Sequence, residues 1–182
     1  MSIPNLITLA RILLVPVIVW AITSGEMLVA FVLFLAAGVS DAVDGFIAKR
    51  FAMTSELGAY LDPLADKAMI VSIYVALGIF DAIPRWLVIL VVSRDIMIVA
   101  AVILSWLVAK PVAVKPHPVS KLNTVAQIVF AGLVLASLGL HWKAAGPAIS
   151  TMMAVVAVLT LLSVGFYLAE WVRHINSSEP GR

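Results

Sequence analysis

The sequence predicts an all-α integral membrane protein with six transmembrane helices, folded as a single domain over residues 1–182. Of its residues, 63% are hydrophobic and only 12% are charged, whereas a soluble domain is about half apolar and about a quarter charged. Apolar stretches of about 20 residues, the length that crosses a bilayer, recur along the whole chain. There is no cysteine, which excludes thiolate catalysis, and a net charge of +2 gives no support for nucleic-acid binding.

Six apolar spans account for most of the chain. Turn-forming or charged segments separate them, among them "SGE", "DAIPR" and "HWKAAGP". The predicted spans are 5–23, 27–48, 57–80, 84–109, 119–140 and 146–172. An even number of spans places both termini on the same side of the membrane.

Basic residues predict which side that is. Cytoplasmic loops carry an excess of Lys and Arg. Arg85 and Lys143 lie in the opposite loops, and Arg94 lies within a span. The other nine basic residues lie on the side of the termini: Arg11, Lys49, Arg50, Lys67, Lys110, Lys115, Lys121, Arg173 and Arg182. We therefore expect both termini to be cytoplasmic, in a bacterial inner membrane.

Four aspartates are concentrated at the facing ends of spans 2 and 3. Asp41 and Asp44 are three residues apart, and Asp62 and Asp66 are four apart, so each pair shares one helix face. Four carboxylates close together need cations, and hard divalent ions such as Mg²⁺ or Mn²⁺ suit oxygen ligands. Two such ions can clamp a diphosphate. The sequence thus predicts a cytoplasmic-facing metal site between helices 2 and 3.

Two glycines support this interpretation, and one simpler explanation competes with it. Gly45 and Gly58 lie beside the carboxylates and would let a ligand approach the backbone closely. The simpler explanation is that the aspartates are interfacial carboxylates at helix ends, solvated among the lipid headgroups. Paired helical spacing favours the functional interpretation, because ionisable residues near the membrane core are costly and usually functional.

The order Asp-x2-Asp-Gly-x2-Ala-basic-x8-Gly-x3-Asp-x3-Asp fits eight positions of this chain: Asp41, Asp44, Gly45, Ala48, Lys49, Gly58, Asp62 and Asp66. This pattern resembles the signature of the CDP-alcohol phosphotransferase family, six-helix membrane enzymes of phospholipid synthesis. Lys49 stands where the family usually has arginine, and lysine keeps the charge without the bidentate fork.

The resemblance implies roles for the signature residues. Asp41, Asp44, Asp62 and Asp66 would hold two divalent ions, with Asp62 bridging them, and Asp66 would also be the general base. The CDP-lipid would be contacted by Gly45, Ala48, Lys49, Ser55 and Gly58.

A second element near the amino terminus resembles the family's Asn-x2-Thr-x2-Arg pattern. It consists of Asn5, Thr8 and Arg11, which the resemblance places near the cytidine and the diphosphate. The alternative is that Asn5 and Thr8 only cap the first helix.

The resemblance also implies the reaction. The acceptor hydroxyl attacks the phosphorus nearest the diacylglycerol of CDP-diacylglycerol, and CMP leaves. The expected partners are the donor lipid, an alcohol acceptor that is a lipid or glycerol 3-phosphate, membrane lipids and a second copy of the chain in a homodimer.

Later segments bear on the acceptor. Arg94 lies deep in span 4 and would bind an acceptor phosphate or, alternatively, form a structural ion pair with an aspartate on another helix. Lys121 opens span 5 and would contact the acceptor or simply flank the membrane. The segments around Arg94 and Asn123 resemble those of cardiolipin synthases of this family more than those of phosphatidylglycerophosphate synthases, which tend to carry a lysine at the position of Asn123. This chain therefore has one positive charge fewer at that position, which suits an acceptor with a phosphodiester, such as phosphatidylglycerol. The alternative acceptor is glycerol 3-phosphate, whose phosphomonoester carries about one more negative charge.

Rival functions make different demands on the sequence. A membrane prenyltransferase usually has more helices and two separate aspartate-rich motifs. A cation transporter would show repeated halves around a midplane site, and a noncatalytic scaffold would not need eight motif positions. Metal-dependent release of CMP separates the enzyme from the transporter and the scaffold, and the donor lipid separates it from the prenyltransferase.

Overall fold

The structure is a computed structural model that describes the backbone of residues 3–51, 56–107 and 118–176, and the side chains of residues 9–40, 65–100 and 118–169. Within these ranges the chain is helical and contains no β-strand. The elements are α1 (Ile3–Thr23), α2 (Met27–Phe51), α3 (Glu56–Ile79), α4 (Arg85–Leu107), α5 (Pro118–Gly139), a 3₁₀ turn (Lys143–Ala145) and α6 (Gly146–Asn176).

The six predicted helices are confirmed, one for each apolar span, and their ends differ from the prediction by a few residues. The largest extensions are in α2, which continues to Phe51, and in α6, which continues to Asn176. Charged residues lie within both extensions, and the helices continue through them because charged side chains do not break a helix as Gly or Pro does.

The helices pack as a closed ring in the order α1, α2, α5, α6, α4, α3, and α3 also contacts α5 across the ring. The core is formed by apolar side chains from several helices, including Ile18, Phe34, Ile73, Leu87 and Phe130. Tyr74 of α3 packs against Phe130 of α5, with ring centroids 6.1 Å apart. The helices α3 and α5 therefore form the centre of the bundle.

Three short turns join α1 to α2, α3 to α4 and α5 to α6. Each contains one residue with positive φ, namely Gly25 (φ 80°), Asp81 (φ 55°) and His141 (φ 54°). Because each joined pair also packs side by side, the pairs are antiparallel hairpins. The three turns consequently lie at one end of the bundle, opposite the amino-terminal end of α1.

The outer surface of the bundle is apolar. Large hydrophobic side chains such as Leu13, Trp20 and Ile89 are more than 60% exposed, and contiguous apolar surface marks contact with a membrane or a partner. Within the described residues, Pro118–Gly139 and Lys143–Ala169 are long and apolar enough to cross a membrane, and Leu9–Thr23 and Met27–Ser40 are shorter apolar helices. The full set of six membrane spans stays a prediction.

Candidate active site

The structure places most of the predicted site residues on three helices. Asn5 and Thr8 lie in α1, and Gly58 and Asp62 lie in α3. The remaining signature residues of α2 are Asp41, Asp44, Gly45, Ala48 and Lys49. The side chains of all these residues, and Ser55 as a whole, lie outside the described part of the chain. The divalent metal site and the contacts with the CDP-lipid therefore stay predictions.

The backbone confirms the helical spacing on which the metal site depends. Asp41 and Asp44 belong to one continuous helix, and so do Asp62 and Asp66. Where side chains are described, no group of three metal-binding residues lies together. Of the four aspartates, Asp66 is the one whose side chain falls in that part of the chain. Its carboxylate is an oxygen ligand of the type that Mg²⁺ and Mn²⁺ prefer.

An ion pair between Arg11 and Asp66 joins α1 to α3. Arg11 donates from Nη1 to Oδ1 of Asp66. The side chain of Arg11 is 1% exposed, whereas that of Asp66 is 37% exposed. The guanidinium thus holds one end of the carboxylate from inside the bundle, and a ligand can still reach the carboxylate from outside.

The family resemblance predicts that these two residues contact different parts of the substrates, Arg11 the nucleotide and Asp66 the acceptor hydroxyl. The structure brings them together although they are 55 positions apart. A positive charge on one helix and a carboxylate on another give no local signal of pairing, because the relative rotation of the two helices is set by packing.

A second polar cluster surrounds Arg94, which is 2% exposed on α4. Its Nη1 donates to Asp95, its Nε and Nη2 donate to Ser163 of α6 at 3.2 and 3.0 Å, and its Nη2 also donates to Ser120 of α5. Every guanidinium nitrogen of Arg94 therefore has a protein partner. This arrangement favours the structural alternative over the binding of an acceptor phosphate, which stays untested.

The expected partner of Arg94 was wrong in one respect. An aspartate on another helix was predicted, but the carboxylate belongs to Asp95, the next residue on the same helix. Adjacent side chains on a helix do not face each other. The long side chain of Arg94 nevertheless bends far enough for its Nη1 to contact the carboxylate of Asp95. Lys67 of α3, which is half-buried, also interacts electrostatically with Asp95. The sequence pattern predicts for Lys67 only a positive charge near the end of a span.

Two buried amides on α5 form a further polar feature. Asn123 accepts a hydrogen bond from Thr160 Oγ1 of α6 at 3.0 Å, and the backbone carbonyl of Gln127 accepts one from the Tyr74 hydroxyl at 3.2 Å. The amide nitrogens of Asn123 and Gln127 are buried without a hydrogen-bond partner among the described residues. The sequence motifs identify Asn123 but not Gln127. Two amide side chains four residues apart in an apolar helix are nevertheless a pattern that predicts both.

Lys121 lies in the first turn of α5, and its side chain is exposed. This position leaves it accessible to a ligand at the end of the helix. The same position fits the alternative of a basic residue flanking the membrane, so its predicted contact with the acceptor stays a prediction.

The chain is similar in sequence to several characterised classes of phospholipid enzyme. It is 37% identical over 152 residues to cardiolipin synthase (CMP-forming) of Rattus norvegicus, a match that covers 75% of this chain and 50% of the relative. It is 30% identical over 183 residues to a probable phosphatidylglycerophosphate synthase of Mycobacterium tuberculosis, with 96% and 84% covered. It is 31% identical over 149 residues to CDP-diacylglycerol–glycerol-3-phosphate 3-phosphatidyltransferase of Bacillus subtilis, with 74% and 76% covered.

The chain spans about half the length of the rat and human cardiolipin synthases that it matches, but most of the length of the two bacterial relatives. A sequence model of the family described as CDP-alcohol phosphatidyltransferase matches residues 1–171. This match to the family model spans the aspartate signature and both residues of the Arg11–Asp66 ion pair. The chain therefore belongs to the CDP-alcohol phosphatidyltransferase family.

Proposed function

We propose that this protein is an integral membrane phosphatidyltransferase that moves a phosphatidyl group from CDP-diacylglycerol to an alcohol acceptor and releases CMP. The observation that carries the proposal is the Arg11–Asp66 ion pair. It joins Arg11, the last residue of the amino-terminal Asn-x2-Thr-x2-Arg pattern, to the last aspartate of the signature, which supports a single site for nucleotide and acceptor. The membership of the family supports the same reaction.

In the proposed reaction the acceptor oxygen forms a bond to the phosphorus nearest the diacylglycerol. The bond between that phosphorus and the oxygen shared with the cytidine phosphate breaks, and CMP leaves with the bonding electrons. The acceptor hydroxyl proton passes to a base, for which we propose Asp66. Its partial exposure supports this role, because a base must lie within hydrogen-bond reach of the proton that it removes.

Arg11 holds Asp66 in place and keeps a fixed positive charge beside it. We propose that Asp41, Asp44, Asp62 and Asp66 together hold two divalent cations, Mg²⁺ or Mn²⁺, because clustered carboxylates are the ligands that such ions prefer. When bound, the cations would neutralise charge that develops on the phosphoryl oxygens. Asn5, Thr8, Gly45, Ala48, Lys49, Ser55 and Gly58 are the proposed contacts of the CDP-lipid.

For the acceptor we propose phosphatidylglycerol, which makes the product cardiolipin. The buried, uncharged Asn123 supports this choice, because a phosphomonoester such as glycerol 3-phosphate carries about one more negative charge near neutral pH and would favour a lysine there. The rat relative is named for cardiolipin synthesis. The Bacillus subtilis relative is named for transfer to glycerol 3-phosphate, which is the second candidate.

We further propose that all six helices span the bilayer, with both termini and the active site at the cytoplasmic face of a bacterial inner membrane. The apolar outer surface and the positions of the basic residues support this placement. A homodimer remains part of the proposal by family resemblance.

The test is release of CMP by the purified protein from CDP-diacylglycerol with Mn²⁺ or Mg²⁺, with phosphatidylglycerol as acceptor in one reaction and glycerol 3-phosphate in another. We expect CMP and cardiolipin with phosphatidylglycerol alone, and loss of both when a chelator removes the metal. CMP only with glycerol 3-phosphate would overturn the acceptor and keep the enzyme class. If no metal-dependent release of CMP is found in either reaction, or with inositol phosphate or serine as acceptor, the proposed function is wrong. The cation-transporter alternative would then be favoured.

A further inference from the structure

A groove of about 570 Å³ runs along the outside of the bundle between α5 and α6. Its lining is apolar apart from Thr151, and it includes Leu122 and Val129 of α5 and Val155 and Val158 of α6. The volume lies within the range of about 300–1,000 Å³ that is usual for small-molecule sites. These two helices are also the pair that is long and apolar enough to cross a membrane within the described residues.

Small side chains make this surface concave. Ala126 of α5 and Ala154 of α6 line the groove, whereas larger valine and leucine side chains stand on either side. Val125, Val129 and Val158 are each at least half exposed. The result is a shallow, open groove along the helix pair, which a narrow, flexible apolar chain can follow better than a flat protein surface can.

The groove has a basic side chain at one end. Lys121 is exposed in the first turn of α5, next to Leu122 and four residues before Val125, so it lies on the same helix face as the groove. From Leu122 to Val129 the helix rises about 10 Å at about 1.5 Å per residue. One leaflet contributes about 15 Å to a hydrocarbon core of about 30 Å. The groove thus extends from a cationic end through most of the depth of one leaflet.

We propose that the α5–α6 groove holds an acyl chain of an anionic phospholipid whose headgroup phosphate pairs with Lys121, and that this lipid is the acceptor of the reaction. The identification as acceptor rests on the proposed function. The surface fits both parts of such a lipid, because Lys121 supplies a cation for the phosphodiester and the apolar groove accommodates the hydrocarbon chain. Ser120, the residue before Lys121, bonds to Arg94, so the cationic end of the groove is attached to the polar interior of the bundle.

Filling the groove tests the proposal. Ala154→Phe places a large side chain in the groove at an exposed position. The control, Ala148→Phe, makes the same change at an exposed position of α6 that does not line the groove. We expect Ala154→Phe to raise KM for phosphatidylglycerol roughly tenfold, the effect of losing about two buried methylene groups. KM for CDP-diacylglycerol should be unchanged, and Ala148→Phe should behave as the wild type. A rise in KM for CDP-diacylglycerol instead would show that the groove holds the donor and would overturn the assignment.

A binding measurement separates the groove from the proposed activity. Photoactivatable phosphatidylglycerol with the reactive group in its acyl chain is added to the protein in phosphatidylcholine nanodiscs, and the labelled peptides are mapped. We expect labelling on α5 and α6 that unlabelled phosphatidylglycerol displaces, that Lys121→Glu reduces several-fold and that Lys121→Arg restores. Labelling that phosphatidylcholine displaces equally well would show non-specific annular lipid and overturn the proposal. If labelling is specific but phosphatidylglycerol supports no CMP release, the proposed acceptor fails while the lipid site stands.

Discussion

At the scale of single residues, the two side chains of the Arg11–Asp66 ion pair differ in their exposure to solvent. Arg11 is enclosed by the bundle, and Asp66 is about one-third exposed. Loss of the carboxylate would remove an ion-pair partner of a buried guanidinium, which is costly because a buried charge needs compensation. In the proposed reaction Asp66 would combine two tasks, one structural toward Arg11 and one chemical toward the substrate.

Substitution of Asp66 should separate these two tasks. Asp66→Asn keeps an oxygen that can accept a hydrogen bond from Arg11 but removes the carboxylate that we propose as the base. We therefore expect the protein to fold and turnover to fall at least about a hundredfold, as loss of general-base catalysis implies. Asp66→Ala should lose turnover and also unfold at a lower temperature, because the acceptor oxygen is gone. CMP-release rates and thermal unfolding in detergent measure the two effects. Turnover at the wild-type rate in Asp66→Asn would remove Asp66 as the base.

At the scale of helices, buried polar groups fix the position of α4. Arg94 links α4 to Ser120 of α5 and to Ser163 of α6, and α4 contacts α3 and α6 in the ring. Directional bonds of this kind specify one rotation of a helix, which apolar contacts alone determine poorly. The charge on Arg94 is tolerated there because every nitrogen of its guanidinium has a partner.

Removal of one charge from this cluster should cost more than removal of both. Arg94→Ala leaves the buried Asp95 carboxylate without its ion-pair partner, and we expect a loss of about 3–5 kcal/mol in the free energy of unfolding. A variant with both Arg94→Leu and Asp95→Leu should regain most of that stability, because no unpaired charge of this pair remains. Unfolding monitored in detergent provides the comparison.

The same variants test the role of Arg94 in acceptor binding. If the double variant is stable and keeps the wild-type KM for the acceptor, Arg94 is structural. A stable double variant whose KM for the acceptor rises at least about tenfold would show that Arg94 binds the acceptor. Equal instability of the single and double variants would contradict the ion-pair argument.

A close backbone approach fixes the contact between α2 and α5. A Cβ atom on Gly139, the last residue of α5, would lie 2.8 Å from the backbone of Leu28. The two helices can approach this closely only because glycine has no side chain. Gly165 of α6 is a helical glycine for comparison, because a Cβ atom there meets nothing within 4 Å.

Alanine substitutions at these two glycines should differ in their effects on stability. Gly139→Ala forces α5 away from α2, and we expect it to lower the free energy of unfolding by about 1–3 kcal/mol, the usual cost of overpacking. Gly165→Ala should be neutral or stabilising by up to about 1 kcal/mol, because alanine favours the helix more than glycine does. Thermal unfolding of the two variants under identical conditions tests this contrast, which equal midpoints would refute.

The helices could be predicted from the sequence more completely than the contacts between them. Apolar length and turn-forming residues are local signals, and they located all six helices to within a few residues at most ends. The partners of Arg11 and Arg94 depend on how helices rotate and pack, for which the sequence offers no local signal. The aspartate signature gave the spacing of the candidate site, and whether its four carboxylates meet around cations stays a prediction.

At the scale of the whole molecule, the basic residues are divided unequally between the two ends of the bundle. Arg85 and Lys143 are exposed at the turn end, whereas the sequence assigns nine of the twelve basic residues, Lys121 among them, to the side of the termini, where the aspartate signature lies. The positive-inside rule therefore predicts that the turn end faces away from the cytoplasm. Orientation and the number of spans can therefore be tested together.

Single cysteines provide that test, because the chain has none of its own. Ser24→Cys and Ala144→Cys lie in the first and third turns, and Pro118→Cys lies at the start of α5, all at exposed positions. Six spans with cytoplasmic termini require that a membrane-impermeant maleimide label the first two in intact cells and the third only after permeabilisation. The reverse pattern would mean that the protein is inverted, with the aspartate signature facing outward. Labelling of Ser24→Cys and Ala144→Cys from different sides of the membrane would contradict the six-span arrangement. Such a result would require an odd number of membrane crossings between the first and third turns, whereas the structure places both turns at one end of the bundle.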